Sequence, residues 1–509
     1  MNRRTKCKHT TAEEGQRPKK NKFLASQACI DGQRLKKNKA LASQECIDGS
    51  GDVEEGLQLE RKLPACAVQP LGNFFLSSFT HNIRDSGLGS LKVLSDETLI
   101  EILGLLKAKD LVSLSAVSKA FYVFVQQDVL WRNLVLCEFG GDFVFKVDWR
   151  STYAATLSPL SHLCYPTLQV TGFFSDHLFQ SWLCSCLSIK DEWLSVDNID
   201  RRKNLSVQDF IDNYEEPNIP VIITDALFSW PALTKWNKDY LVKAAGDSKL
   251  AVGPVEMTME NYFTYSESIC EERPLYLFDP HFIEKMPSLS EDFDVPIYFR
   301  EDLFSILGNE RPHYRWLIVG PARSGSSFHI DPNSTSAWNA VVKGTKKWIL
   351  FPPDVNPPGV HPSADGVEVA APVSIMEWFM NFYKLAKEWK KKPIECICRE
   401  GELIFIPNGW WHLVLNLEES IAITQNYVSR SNLLNVLEFL KRPNSAQLVS
   451  GTKDRVNLYN KFKSAYVQLF PGSIEELEKK AVARAKQSKS GSFWDSVTDA
   501  NVGSFKFGF

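Results

Sequence analysis

The chain has 509 residues, 44% of them hydrophobic, with 14 Trp and 32 Phe, so it can bury substantial cores and is long enough for two or three domains. Its net charge of −3 is unevenly placed: residues 1–50 hold twelve Lys/Arg against five Asp/Glu, leaving 46 against 56 for residues 51–509. A basic arm precedes an acidic body, which suits a nuclear-import signal, a nucleic-acid contact or a solvated tail.

The opening "MNRRTKCKHT" is charged and has no apolar segment, so no secretory signal is expected. No run of about eighteen apolar residues offers a membrane span. Phe173–Ile189 comes nearest and is interrupted by Ser175, Asp176, His177 and Gln180. The eleven cysteines include no C-x-x-C pair, which points to reduced thiols in the cytosol or nucleus. His162, Cys164, His177, Cys184 and Cys186 match no common zinc-finger spacing, and core packing is the expectation for them.

Residues 1–85 read as a disordered basic arm. Within it "QRPKKNKFLASQACIDG" (16–32) returns as "QRLKKNKALASQECIDG" (33–49), a seventeen-residue tandem repeat. Two polar copies cannot stack a solenoid core. The clusters Arg17/Lys19/Lys20/Lys22 and Arg34/Lys36/Lys37/Lys39 suit nuclear import.

Residues 91–137 have helical periodicity. Leu99, Ile102, Leu103 and Leu106 form one apolar face, and Leu111, Leu114, Val117 and Phe121 another, with Leu130 and Trp131 closing the unit. Ser95 is placed to cap the first helix, with Asp96 and Glu97 at its positive end. The succession "LSDETLIEIL", "LVSLSAVSKAF" and "LWRNL" resembles an F-box, with Ser95 where that family usually has proline. The resemblance implies docking to a Skp1-type adaptor and a link to a cullin ubiquitin ligase.

A connector, 138–190, leads into a β-rich region. Residues 205–220 read as a helix and a turn, and "VIITDALF" as a buried strand. "PLYLFD", "YRWLIVG", "TSAWNAVV", "KKWILF", "GELIFIP", "WHLVLNL" and "SIAITQNYV" then recur between turn residues, the pattern of a sandwich or barrel.

Within this region His329 and Asp331 stand two apart, so an extended strand would point both to one face. Of nine histidines only His329 is followed two residues later by an acid. His412 follows the turn Pro407-Asn408-Gly409 at the start of an apolar run. Two histidines and a carboxylate can form the facial triad of non-haem Fe(II) oxygenases, which leaves open positions on the metal. Lys346 lies in a segment suited to burial, where an inward lysine calls for an anion such as the distal carboxylate of 2-oxoglutarate. Lys346 and Lys347 would lie on opposite faces, and spacing alone does not say which is inward.

"PLYLFD", "YRWLIVGPARSG", "HIDPNSTSAWNAVVKGTKKWILFP" and "IPNGWWHLVLNLEESIAITQNYV" together resemble a Jumonji C (JmjC) domain. The branch most similar contains the arginine demethylase/lysyl hydroxylase once named a phosphatidylserine receptor. This resemblance spans residues 193–428, within a domain drawn at 191–430, and implies a cupin-like double-stranded β-helix with flanking helices. It implies iron ligands His329, Asp331 and His412, and 2-oxoglutarate contacts from Lys346, Tyr276, Ser326, Asn339 and Thr424. Ser326 replaces a frequent threonine and keeps the hydroxyl. Trp338 and Asn426 also match. Residues 431–509 turn helical, with Ser473 and Glu476 as a capping box; the resemblance suggests a homodimer surface there.

An F-box joined to this branch is similar to plant F-box/JmjC proteins associated with histone arginine demethylation. The implied activity is a nuclear Fe(II)- and 2-oxoglutarate-dependent dioxygenase that uses O2 to hydroxylate N-methyl groups on histone-tail arginine. The alternatives are a protein lysyl hydroxylase, and a ubiquitin-ligase substrate receptor with a non-catalytic JmjC domain. The presence of all three ligands and Lys346 favours the enzyme.

Overall fold

The first helices are short amphipathic runs, two of which begin at capping serines, Ser95 and Ser118. The computed structural model describes residues 70–76, 80–158 and 168–483, all within one unit, 58–509. Residues 1–69 of the arm, with the repeat, and His162 and Cys164 lie outside the described residues; the arm's end departs from the expected disorder, since Leu71 bridges Phe174 and Ile83–Leu88 is a helix capped by Asn82. Helix α1 spans Asp96–Leu103, and Ser95 caps it by accepting the Thr98 amide at 3.2 Å. Helices α2 (Ala108–Ser115), α3 (Lys119–Val125) and α4 (Asp128–Phe139) complete the bundle.

Leu99, Leu103, Leu111, Phe121, Leu130 and Trp131 are buried together, as the periodicity predicts. Ile102 and Val117 depart from expectation: they are 45% and 66% exposed. They sit at the margins of their stripes, where no other described element covers them.

Helices α5 (Trp149–Leu157) and α6 (Asp176–Cys186) form the connector. The stretch that came nearest to a membrane span is thus an eleven-residue helix, and no described helix is long and apolar enough to cross a membrane. His177 pairs with Glu97 at 3.3 Å, and Cys184 and Cys186 are buried. Separate cores were expected for the domains, yet one apolar cluster runs from Leu99 through Trp149 to Trp338. Buried Glu271 fastens the junction, accepting from Trp149 Nε1 and Arg132 Nη1, both at 3.2 Å, and from the Tyr265 hydroxyl.

The β region contains two facing sheets. The larger holds β1 (Asp200–Arg202), β2 (Val221–Ile223), β3 (Lys249–Val252), β4 (Val255–Thr258), β5 (Leu277–Asp279) and β6 (Arg315–Gly320). After β7 (Gly325–His329) come β8 (Ser336–Lys343) and β9 (Lys346–Phe351). A small hairpin, β10 (His361–Pro362) and β11 (Val369–Ala370), precedes helix α7 (Ile375–Lys387). Then follow β12 (Ile394–Cys398), β13 (Leu403–Ile406), β14 (Trp411–Asn416) and β15 (Ser420–Tyr427). The larger sheet runs β1-β2-β13-β8-β15-β6-β5-β3-β4, and the smaller β12-β9-β14-β7. This is the double-stranded β-helix that the resemblance implies.

Period-two alternation divides the side chains. Ile222, Ala337 and Ile404 of the larger sheet meet Trp348, Leu350 and Val414 of the smaller in an inner core. Trp378 and Phe379 of α7 cover the smaller sheet's outer face with Leu413 and Leu415. Helices α8 (Leu433–Leu440) and α9 (Leu458–Leu469) pack on Leu303 and Phe304. Residues 473–483 are helical, but the expected capping box is absent. The Ser473 hydroxyl lies 2.9 Å from that of Tyr466 and 3.0 Å from the Phe470 carbonyl, and the Glu476 amide donates to Gly472.

Candidate metal centre and co-substrate pocket

Strand register brings the two histidines together. His412 on β14 is paired directly with His329, the last residue of β7. Gly409, at φ 76°, takes the left-handed conformation that turns the chain into β14. Asp331 lies just beyond β7 in extended backbone (φ −58°, ψ 142°), while Ile330 is 37% exposed. The expected common face for His329 and Asp331 is therefore made by extended chain past the strand's end.

The imidazole centroids lie 4.1 Å apart, and His412 Nε2 is 4.0 Å from Asp331 Oδ1. One ligand atom from each of the three residues falls within 4.8 Å of the others, and among the described residues this is the one such cluster. His329 Nδ1 is 2.8 Å from the Ser327 carbonyl, and His412 Nδ1 is 3.1 Å from that of Trp410. Each ring therefore donates its Nδ1 proton to backbone and leaves an Nε2 lone pair for a metal. Burial and neighbouring His329 hold His412 well below the ordinary histidine pKa. Burial raises Asp331, with His329 opposing. Asp331 Oδ2 is buried without a hydrogen-bond partner. Two imidazoles whose Nε2 atoms are left free by backbone hydrogen bonds at Nδ1, with a carboxylate that has a spare lone pair, fit Fe(II).

Lys346 points inward from β9 and is 1% exposed. Its Nζ donates to Asn416 Oδ1 at 2.7 Å, while Asn416 Nδ2 donates to Ser324 Oγ at 2.9 Å. Burial pulls the lysine pKa down to about 7. The Tyr276 hydroxyl is hydrogen-bonded to Ser326. A Cβ at Gly320 would lie 2.7 Å from both the Tyr276 ring and Asn416 Nδ2, so glycine permits their approach. Burial raises the Tyr276 pKa, keeping the phenol protonated as a donor.

Asn339 is buried on β8 with Oδ1 unpartnered, and Thr424 of β15 is its register partner. The Thr424 hydroxyl donates to the Trp338 carbonyl at 3.0 Å. Trp338 faces away from the pocket, stacking on Phe299 in the main core. Asn426 borders the Asp331 carboxylate. Lys347 takes the opposite face to Lys346 and is also buried, pairing with Glu395 at 2.7 Å and donating to the Val196 carbonyl at 2.8 Å. Asn416 and Ser324 were missed by sequence reasoning. The signal for Asn416 was its parity with His412 in "WHLVLN", a polar residue on the inward face of an apolar run.

An F-box-like helical unit and a cupin-type double sheet with two histidines and a carboxylate inside define a protein of the F-box/JmjC class. Family models for an F-box-like domain and a cupin-like domain match residues 96–137 and 207–432. The chain belongs to the F-box/JmjC family that includes the arginine-specific demethylase JMJ22 of Arabidopsis thaliana. It is 61% identical to that protein over 446 residues, covering 87% of this chain and 88% of the relative. It is 37% identical to the Arabidopsis thaliana lysine-specific demethylase JMJ21 over 69% of this chain and 38% of that protein. Identity to the bifunctional arginine demethylase and lysyl-hydroxylase psr-1 of Caenorhabditis elegans is 40%, over 47% of this chain and 62% of that one.

Proposed function

We propose that the protein is an Fe(II)- and 2-oxoglutarate-dependent oxygenase that removes methyl groups from histone-tail arginine in the nucleus. The observation that carries this is the His329–Asp331–His412 cluster, half-buried at its first two members and buried at His412, with an inward lysine, Lys346, farther along the same sheet. His412 and Asn416 are four residues apart on β14, and Lys346 is the register partner of Asn416. The separation of about 13 Å along the strand suits a lysine side chain reaching towards the far end of a five-carbon dicarboxylate.

His329, Asp331 and His412 would hold the metal, and Lys346, Tyr276 and Ser326 the distal carboxylate. Asn339, with its free Oδ1, and Thr424 would line the co-substrate's flank. With O2 and 2-oxoglutarate, the bound iron supplies oxidative hydroxylation of a nearby C–H bond, releasing succinate and CO2. The residues' part would be to aim both imidazole Nε2 atoms at the metal through their Nδ1 hydrogen bonds to backbone and to keep one carboxylate oxygen free beside them. A hydroxylated N-methyl group then leaves as formaldehyde.

The names of JMJ22 and psr-1 support arginine as substrate. The bifunctional name of psr-1 favours a second reading, peptidyl-lysine hydroxylation. Exposed Val93, Ile102, Leu105, Val112 and Val117 on and between the F-box helices suit a Skp1-type adaptor. Exposed Val467, Leu469 and Val482 suit a second copy at the C-terminal helices. A receptor role without catalysis is disfavoured because the metal ligands and the pocket lysine are all present. Succinate formation by full-length protein with Fe(II), 2-oxoglutarate and dimethylarginine histone peptides tests the reading, with lysine peptides alongside. Peptide-dependent succinate with demethylation supports it; no binding of metal or co-substrate rejects it.

A further inference from the structure

We propose that the lysines at and just after the end of α7 dock the phosphate backbone of duplex DNA at the end of the smaller sheet that carries the metal ligands. This rests on reading that centre as acting on histone tails. Residues 384–392, "KLAKEWKKK", place five lysines against one acid, Glu388, although residues 51–509 are acidic overall. Lys384, Lys390 and Lys392 are exposed, and among the described residues none has an acidic partner within ion-pair distance. Their neighbours are engaged: Lys391 with Asp354 at 2.5 Å, and Lys387 with the Glu192 carbonyl at 3.3 Å and over the Tyr383 ring. Lys190 answers Glu192 at 3.9 Å, and Asp191 is the remaining acid on that neighbouring segment.

The platform is firm. Trp378, Phe379 and Tyr383 of α7 are buried, and Trp389 Nε1 donates to the Asn356 carbonyl at 3.2 Å. Pro393 then leads into β12, where register fixes the cluster's position. Ile394 pairs with Leu350, Leu350 with His412, and His412 with His329, in one row across the smaller sheet. Three strand spacings separate Ile394 from His329, about 14 Å. The lysines therefore rim the end of the sheet that carries the metal ligands.

A cationic tail is repelled by such a rim, whereas the polyanion from which a histone tail emerges is attracted to it. Lysine ammoniums are point charges that bind phosphates without reading bases, so the contact would position the enzyme and carry no sequence information.

The test compares full-length wild type with the Lys384→Gln/Lys390→Gln/Lys392→Gln variant. Fluorescence anisotropy measures binding of a short DNA duplex, and of single-stranded RNA of equal length, across a salt series. Loss of three phosphate contacts lowers the slope of log K against log salt by about 3 and weakens DNA binding at least about tenfold near physiological salt. Nucleosomes carrying dimethylarginine should show a raised KM, while kcat/KM for the free tail peptide stays unchanged. An unchanged slope, assigning DNA binding to the basic arm, overturns the proposal. So does equal loss on the free peptide, or RNA binding that is as tight and as sensitive to the substitutions. If free peptides are not demethylated at all, the functional reading fails while the DNA-binding readout still stands.

Discussion

Replacing Lys346 with methionine separates the cost of burying this lysine from its use. The side chain is 1% exposed, its partner is the neutral Asn416 amide at 2.7 Å, and its pKa falls from 10.5 to about 7. The folded state thus binds fewer protons than the unfolded chain between about pH 7 and 10.5, and stability without co-substrate rises with pH across that window. The shift corresponds to about 5 kcal/mol against the charged form. Lys346→Met removes the charge at similar length, so without co-substrate it should unfold at a higher temperature at pH 7, by a few kcal/mol at most. Binding shows the reverse. Loss of a buried cation from a charge pair costs about 3–5 kcal/mol, so KM for 2-oxoglutarate should rise by about a hundredfold to several thousandfold. In wild type the ammonium must be formed for binding, so KM should rise about fivefold from pH 7 to 8 and about tenfold from pH 8 to 9. The variant's KM should be nearly flat. Initial rates of succinate formation over pH 6.5–9, with thermal melts of the metal-free protein, measure both effects. A variant KM within about threefold of wild type, or an unchanged pH profile, would refute this role for Lys346.

Asp331→Ala should abolish turnover and anaerobic Fe(II) binding while leaving the melting temperature unchanged or raised, because an uncompensated buried carboxylate is removed; calorimetric metal titration checks it. Lys347→Met should do the opposite of its neighbour's substitution: retained turnover with about 3–5 kcal/mol of lost stability in urea, because Glu395 is left buried and unpaired. Gly320→Ala should raise KM for 2-oxoglutarate with iron affinity preserved, since the new methyl would press on Tyr276 and Asn416. Glu271→Gln should lower stability by about 1–3 kcal/mol without changing KM for 2-oxoglutarate, because it weakens only the junction with Arg132 and Trp149.

Alternation made much of the β domain readable. "KKWILF" and "WHLVLNL" announce strands, and parity alone puts His412, Val414 and Asn416 on one face. Register was not readable: the pairing of His412 with His329, and of Lys346 with Asn416, depends on which strands meet across long sequence separations. For the same reason, sequence left open which lysine of Lys346-Lys347 faces inward beside the metal ligands, and the burial of both depended on partners from other strands, Asn416 for Lys346 and Glu395 for Lys347. Helix α7 interrupts a region read as strands, although Ser374 and Glu377 carried its signal. Ser374 accepts the Glu377 amide at 3.1 Å, and Glu377 accepts from Val373 at 2.5 Å. The same spacing at Ser473 and Glu476 misled because Tyr466 and Phe470 take up the serine hydroxyl. The shared core between F-box and β domain rests on Glu271 meeting Arg132 and Trp149, which no local pattern encodes.

The most direct test of the central claim follows an isotope label from the N-methyl groups of a dimethylarginine histone-tail peptide. The full-length protein, loaded anaerobically with Fe(II) and 2-oxoglutarate, is exposed to O2. Labelled formaldehyde and succinate appearing in equal amounts, with loss of a methyl mass from arginine and none of this in His412→Ala, is the predicted result. Succinate formed with the methyl groups intact and a stable hydroxyl on lysine would contradict demethylation and assign the site to lysyl hydroxylation.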